Sequence, residues 1–343
     1  MKKIYALTDY KGYFGSKYKS IPYRSGFDQN LIIKLFHKKG FSIEFVKMSQ
    51  VKNLNSIENL PFIYTSSEDV GLHYKSFIED VVLFIKSKGG IVIPDYEYLR
   101  ANNNKTFMEF FRKSNDNRAV NSLKSWEFGT YEEMLDRKNE FTFPIVVKKP
   151  GGAMGKGVFL ANNEAELLKI VKSISRTRYL KEEIKDFLRG KKHRGYKLES
   201  KFRKKFILQE FIPNLINDWK VYVFGNKYFV FYRPVFKKRK FKASGGGYEN
   251  YYYGMNAKIP DGLLGFSREV FSQFNVPHMA MDIAFDGKKF HLIEFQFVYF
   301  GTAGILYSKE YFELQNKKWQ IKLNNLNQEE CFVLSIINYL NNQ

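Results

Sequence analysis

Apolar positions along the first hundred residues switch between two periods. Ile4-Tyr-Ala-Leu7 is a short apolar run of strand type. Residues 28–39 place Leu31, Ile32, Leu35 and Phe36 at helical spacing, with Gly40 as a stop. Phe41 to Val46 alternates like a strand, and Phe62-Ile-Tyr64 is another. Residues 74–88 carry Phe77, Ile78, Val81, Val82 and Ile85 on one helical stripe, ended by Gly89-Gly90, and Ile91-Val-Ile93 follows. This strand–helix alternation predicts a small parallel α/β domain. Beyond it, Asn102-Asn-Asn104 offers caps for a helix running to Lys113, and Asn163 caps a helix over 164–173. From Phe206 the pattern turns β-rich. One hairpin is expected over 221–232, around Gly225-Asn226, and another over 279–297, around Asp286-Gly287. A short helix is expected over 267–274. A closing helix over 327–340 carries Cys331, Val333, Leu334, Ile337 and Leu340. The expectation is an α/β (α+β) chain in three parts: residues 1–102, 103–205 and 206–343.

The most distinctive stretch runs from Phe143 to Phe159. An apolar strand ends in Lys148-Lys149, four glycines follow (Gly151, Gly152, Gly155, Gly157), and Val158-Phe-Leu160 resumes a strand. A turn with almost no side chains except Met154 and Lys156 lets backbone N–H groups approach an anion, and the lysines add charge. Triphosphate is the natural candidate. No Gly-Lys-Ser/Thr leads into a helix, so the loop is no Walker A motif, and the strand that follows excludes a dinucleotide fingerprint. A glycine-rich turn without a ligand is the plain alternative. Lys105 stands in a first helical turn, where a cation opposes the helix dipole and is either tolerated or kept for an anion.

The hairpin over 279–297 places Asp282 on one strand and Glu294 and Gln296 on its partner. Residues two apart share a face, so Glu294 and Gln296 project together, and Asp282 can face them. These are hard oxygen donors suited to Mg²⁺. They lie in otherwise apolar strands, where a carboxylate requires a partner. Salt bridges to the chain's many lysines would meet that requirement equally well.

Composition narrows the classes. The chain has 343 residues, enough for two or three cored domains, and 44% are hydrophobic, which argues against disorder. Cys331 is the only cysteine, so no intrachain disulfide can form. The opening apolar run is too short for a signal peptide, and no window reaches the length of a membrane span. A soluble, cytoplasmic protein is expected. The formal charge is +21, compatible with nucleic acid, an anionic surface or a polyanionic substrate. Residues 181–205 alone hold eleven Lys/Arg against four acids. An exposed, solvated helix and linker is the simpler reading.

Taken in order, these motifs resemble the ATP-grasp superfamily over roughly residues 104–304. Pro144-Ile-Val-Val-Lys148 and the glycine loop look like its phosphate lid. Gln209-Glu-Phe-Ile-Pro213 looks like its adenine-binding linker, and Asp218-Trp-Lys-Val-Tyr-Val223 like its Asp-x-Arg-x-x-Val strand. Arg233 occupies the place of the basic residue beside the transferred phosphoryl group. Met281-Asp282 and Glu294-Phe-Gln296 look like the metal-binding Asp and Glu-x-Asn. The resemblance implies an ATP-grasp fold behind a small α/β domain, with ATP and one or two Mg²⁺ (Mn²⁺ in its place) as cofactors. It implies that Lys105 and Lys148 hold the α/β phosphates while Gly152, Gly155, Lys156 and Gly157 close over them. Gln209, Glu210, Phe211 and Ile212 frame adenine. Asp218 and Lys220 belong to the nucleotide site, Arg233 offsets charge on the γ-phosphoryl group, and Asp282, Glu294 and Gln296 hold metal. Two residues depart from the pattern: Gln296 replaces Asn, and Lys220 replaces Arg.

The activity implied is an ATP-dependent ligase that activates a carboxylate as an acylphosphate and joins it to an amine. A kinase of the same fold is the first alternative. A non-enzymatic polyanion binder is the second, and nucleic acid is not the expected partner. The acid and amine substrates are expected at the loop over 9–26, with Asp9, Lys17 and Arg24, and at the loop over 244–253, with Ser244 and Gly246. The whole pattern, with Asp9-Tyr-Lys-Gly-Tyr-Phe-Gly-Ser-Lys-Tyr18 near the start, is similar to ATP-grasp proteins of bacterial surface-polysaccharide clusters, which implies amidation of a uronic acid or attachment of an amino acid to a sugar. A homodimer is compatible with the sequence.

Overall fold

A computed structural model describes the chain apart from residues 18, 68, 153–154, 178, 236–251, 254–256 and 343. The chain divides into two compact units. One gathers Met1–Asn102, Asn115–Ser122 and Asn214–Gln343, and the other Asn103–Ser114 and Leu123–Pro213.

The first unit begins with β1 (Lys2–Thr8), α1 (Gln29–His37), β2 (Phe41–Lys47), β3 (Pro61–Ile63), α2 (His73–Ser87), β4 (Ile91–Ile93) and α3 (Tyr96–Ala101). The strands form one parallel sheet in the order β2-β1-β3-β4. Strand β1 explains why. Its Ile4 and Ala6 enter one core with Phe14, Ile32 and Phe36, while Tyr5 and Leu7 enter another with Phe62, Ile78, Val82 and Ile85. A strand buried on both faces is the mark of a sheet covered by helices. Asp28 starts α1 by accepting the Leu31 N–H. The strand–helix alternation thus appears as a parallel α/β layer of the first unit, with helix α3 added to it.

The second unit holds α4 (Lys105–Lys113), β5 (Ser125–Phe128), α5 (Tyr131–Asp136), β6 (Ile145–Lys148), β7 (Val158–Ala161), α6 (Glu164–Ser175), α7 (Leu180–Lys192) and β8 (Phe206–Glu210). Its antiparallel sheet runs β5-β8-β6-β7. Val147, Leu208 and Phe206 pack there with Leu167 and Val171 of α6. Helix α7 leaves Leu180, Ile184, Phe187 and Leu188 exposed. Its buried Asp186 accepts from the Tyr196 hydroxyl at 2.6 Å and the Glu199 N–H at 3.0 Å, folding the basic segment back on itself.

The first unit resumes with β9 (Asn217–Phe224), β10 (Lys227–Pro234), β11 (Tyr252–Tyr253), α8 (Leu263–Ser272), β12 (His278–Phe285), β13 (Phe290–Gln296), α9 (Ala303–Tyr307), β14 (Glu310–Gln315), β15 (Lys318–Leu323) and α10 (Gln328–Asn341). The strands form a second sheet, β13-β12-β9-β10-β14-β15, with β11 on β10. Both hairpins expected from alternation appear, as β9–β10 and β12–β13. The pair β14–β15 adds a third. Among the described residues no helix is long and apolar enough to cross a membrane.

Candidate active site

In the second unit the glycine hairpin is anchored at both ends. Lys149 N–H donates to Gly157 O at 2.8 Å, and Val158 N–H to Gly155 O at 3.2 Å. Gly152 (φ +105°) and Gly155 (φ +69°) adopt backbone conformations that favour glycine. Lys105 opens α4, which Asn104 caps. Its N–H donates to Pro150 O at 2.7 Å and its ammonium to Gly152 O at 3.1 Å, while Gly152 N–H donates to Asn103 Oδ1 at 2.8 Å. The α4 start and the hairpin therefore form one structure. Lys148, at the end of β6, is buried and donates to Gln209 Oε1 on β8. Glu210 is exposed, Phe211 half-buried and Ile212 buried. Lys156 is exposed. The asparagine run and Lys205, which donates to Asn104 Oδ1 at 2.9 Å, support this arrangement.

In the first unit a charge cluster lies across three strands. Asp218 and Lys220, two apart on β9, share a face. Arg233 of β10 stands opposite Asp218, and Asp282 of β12 opposite Lys220. Arg233 grips Asp218 in bidentate fashion, at 2.5 and 2.7 Å, and reaches Asp282 at 2.8 Å. The Lys220 ammonium lies 2.7 Å from Asp282 Oδ1. Arg233 and Asp218 are each only 5% exposed. Burial pushes the Asp218 carboxyl up to about 6 against the opposing pull of Arg233. Burial acts in the same direction on Asp282, but there Arg233 and Lys220 outweigh it and hold the carboxylate well below its usual range. Glu294 of β13 stands opposite Asp282, and Gln296 lies one pleat further along the same face.

Residues 113–243 match the model of the RimK-like ATP-grasp domain. The chain contains an ATP-grasp domain. Solved structures carry the likeness over nearly the whole chain. D-cycloserine synthetase superposes with a TM-score of 0.57 at 9% identity, covering 98% of this chain and 99% of that one. N5-carboxyaminoimidazole synthetase from Staphylococcus aureus, complexed with ADP, gives 0.56 at 10% identity, with 98% and 77% covered. A RiPP-associated ATP-grasp ligase from Chryseobacterium gregarium gives 0.52 at 11%, with 100% and 97% covered. At such identities these likenesses establish the fold. No curated protein matches the sequence.

The ATP-grasp fold implies Mg²⁺, and the residues present accommodate it in an altered way. Among the described residues no three His, Cys, Asp or Glu side chains gather as a ligand set. Both Asp282 oxygens face cations, Oδ1 the Lys220 ammonium and Oδ2 the Arg233 guanidinium. Glu294 and Gln296, both half-buried on one face, offer a carboxylate and an amide oxygen. That donor pair suits an ion whose remaining shell comes from phosphate and water.

Of the residues expected at the substrate, Asp9, Lys17 and Arg24 line one cleft in the first unit. Lys17 is committed: its ammonium donates to buried Glu329 Oε1 at 2.6 Å. Ser244 and Gly246 lie outside the described residues. The cleft also contains Thr65, Ser66 and Tyr299, none of which stood out in the sequence.

Proposed function

We propose that this protein is an ATP-dependent carboxylate–amine ligase. The observation that carries the reading is the register of β10, β9, β12 and β13, which sets Arg233, Lys220, Asp282, Glu294 and Gln296 on one sheet face, with Lys220 and Arg233 inside the stretch that matches the ATP-grasp model. In the first step a carboxylate oxygen of the acid attacks the γ-phosphorus of ATP. The bond from γ-phosphorus to the β,γ-bridging oxygen breaks, and ADP leaves with that electron pair. In the second step an amine attacks the acylphosphate carbon, the C–O bond to phosphate breaks, and the amine loses a proton as the amide forms.

Lys105, Lys148 and the glycine hairpin bind the phosphates. Gln209, Glu210, Phe211 and Ile212 receive the adenine. Arg233 offsets charge as it builds on the transferred group, the electrostatic role that dominates phosphoryl transfer. Asp218 and Asp282 fix the Arg233 guanidinium, so that it meets that charge without reorganising. Glu294 and Gln296 hold Mg²⁺, which when bound neutralises phosphate oxygens. The finer reading is that the acid is a sugar acid or sugar-linked.

The test is ADP release from the full chain with Mg²⁺-ATP, a panel of acids and hydroxylamine. A ligase yields the hydroxamate of one acid in amounts that match the ADP. ADP release with a stable phosphorylated product and no hydroxamate is the kinase outcome, and it removes the reading. So does failure of every acid in a chain that binds nucleotide.

A further inference from the structure

The parallel sheet runs β2-β1-β3-β4. From β1 the chain passes through α1 to β2 on one side. From β3 it passes through α2 to β4 on the other. Strands β1 and β3 are therefore neighbours whose onward connections leave in opposite directions, and such a switch point opens a crevice beyond the strand ends. The crevice is present here as a cleft of about 660 Å³, with Asp9 just past β1 and Thr65 and Ser66 just past β3. Its size falls within the range of small-molecule sites.

The lining is chemically selective. Five tyrosines contribute: Tyr10, Tyr13, Tyr23, Tyr74 and Tyr299. Each offers an apolar ring and a polar tip. Thr65 and Ser66 are 7% and 5% exposed, and neither hydroxyl has a hydrogen-bond partner among the described residues. Buried polar groups are otherwise nearly always paired, so each of these requires a partner that the described residues do not supply. Both acids of the cleft accept backbone N–H groups. Asp9 Oδ1 accepts the N–H groups of Lys11 and Tyr13 at 2.8 and 2.9 Å, and Asp69 accepts those of Tyr74 and Lys75 at 3.1 and 3.3 Å. Lys17 is taken by Glu329. Lys11 and Arg24 lie over tyrosine rings, at 5.5 and 5.4 Å from their centroids, and form no ion pair among the described residues. Left over are two cations without an ion pair and two buried hydroxyls without a hydrogen bond among the described residues, set among tyrosine rings.

We propose that this cleft seats the acid substrate, and that the substrate is a polyhydroxylated anion of the sugar-acid class. The inference rests on the ligase reading for the word substrate, but the cleft's chemistry stands apart from it. The ligand's hydroxyls complete Thr65 and Ser66, its C–H faces lie on the tyrosines, and its charge meets Lys11 and Arg24.

The test is calorimetric titration of the full chain with D-glucuronate and D-galacturonate, with and without Mg²⁺ and a non-hydrolysable ATP analogue. D-glucose supplies hydroxyls without charge, and propionate charge without hydroxyls. At least one uronate should bind tenfold or more tightly than either control. Thr65→Val and Ser66→Ala should each weaken it about tenfold and leave the melting temperature unchanged or higher, because they remove unpaired hydroxyls. Equal binding of uronates and controls, or no uronate binding in either state, overturns the proposal. So do variants that keep full uronate affinity but melt lower. That result makes the hydroxyls structural, with a water in the cavity of about 20 Å³ that Thr65 also lines as the Thr65 partner. Uronate binding without ATP-dependent hydroxamate keeps the cleft and removes the ligase. Hydroxamate from another acid without uronate binding does the reverse.

Discussion

Asp282→Ala tests the charge cluster directly. The Asp282 carboxylate lies 2.7 Å from the Lys220 ammonium and 2.8 Å from the Arg233 guanidinium, with its side chain 14% exposed. Opposite charges about 4 Å apart near a protein surface attract by about 4 kcal/mol before desolvation is counted. The two contacts do not add to twice that, since taking the ions out of water offsets much of the gain. What the substitution leaves behind matters more. Arg233 keeps its bidentate grip on Asp218, but Lys220 loses its ion-pair partner while its own side chain is only 15% exposed. Stranding one member of a buried pair costs about 3–5 kcal/mol, and the surviving Arg233–Asp218 pair sets the expectation at about 3. The assay is urea unfolding followed by far-ultraviolet circular dichroism, with Lys220→Met added as a second arm. The double variant should recover more than about 1 kcal/mol of the loss, because the stranded cation is gone. A loss under about 1 kcal/mol for Asp282→Ala, or further damage from Lys220→Met, refutes the reasoning.

Three other outcomes are expected. Burial lowers the His278 pKa to about 3. The unfolded chain therefore takes up a proton below about 6.5 that the folded one refuses, and this group removes about 1.4 kcal/mol of stability per pH unit from there down to about 3. His278→Gln should flatten that slope in unfolding midpoints measured across pH. Glu294→Ala should shrink the Mg²⁺-dependent stabilisation by an ATP analogue, which for the wild type at a hundred times its Kd is about 2.7 kcal/mol; thermal unfolding with and without Mg²⁺ reads it, and an undiminished shift would clear Glu294 of a metal role. Gly152→Ala meets no atom within 4 Å, yet forces an L-residue to φ +105°. A cost of about 1–2 kcal/mol with weakened nucleotide binding is expected, and unaltered unfolding and affinity would show that the hairpin tolerates another shape.

Much of this fold is legible where burial enforces a period. The strands around the glycine hairpin and Asp282 are apolar on each side of a recognisable turn, so their pairing follows from alternation. That Asp282 and Glu294 oppose one another follows from the same period of two. The cations that claim Asp282 do not follow, because β9 reaches β12 only through the order of the sheet. The pair β14–β15 escapes notice for a local reason. It turns at Asn316 and Lys317, both at positive φ, so the turn lacks the glycine that usually announces such a hairpin, and few of its side chains are buried. Thr65 and Ser66 read as ordinary loop residues. Only the burial of their hydroxyls sets them apart.

The core of the first sheet is shared by the two ends of the chain. Ile4, Phe14, Ile32 and Phe36 pack with Phe332, Val333, Ile336 and Ile337 of α10. During synthesis at about 5–20 residues per second, the face carrying Ile4 and Phe36 is made long before the helix that covers it. The second unit ends at Pro213 and can close on itself well before then. From the completion of Pro213 until α10 is made, the nascent protein therefore consists of a finished middle and an unfinished beginning. The apolar face of that beginning stays open to chaperones until the closing helix emerges.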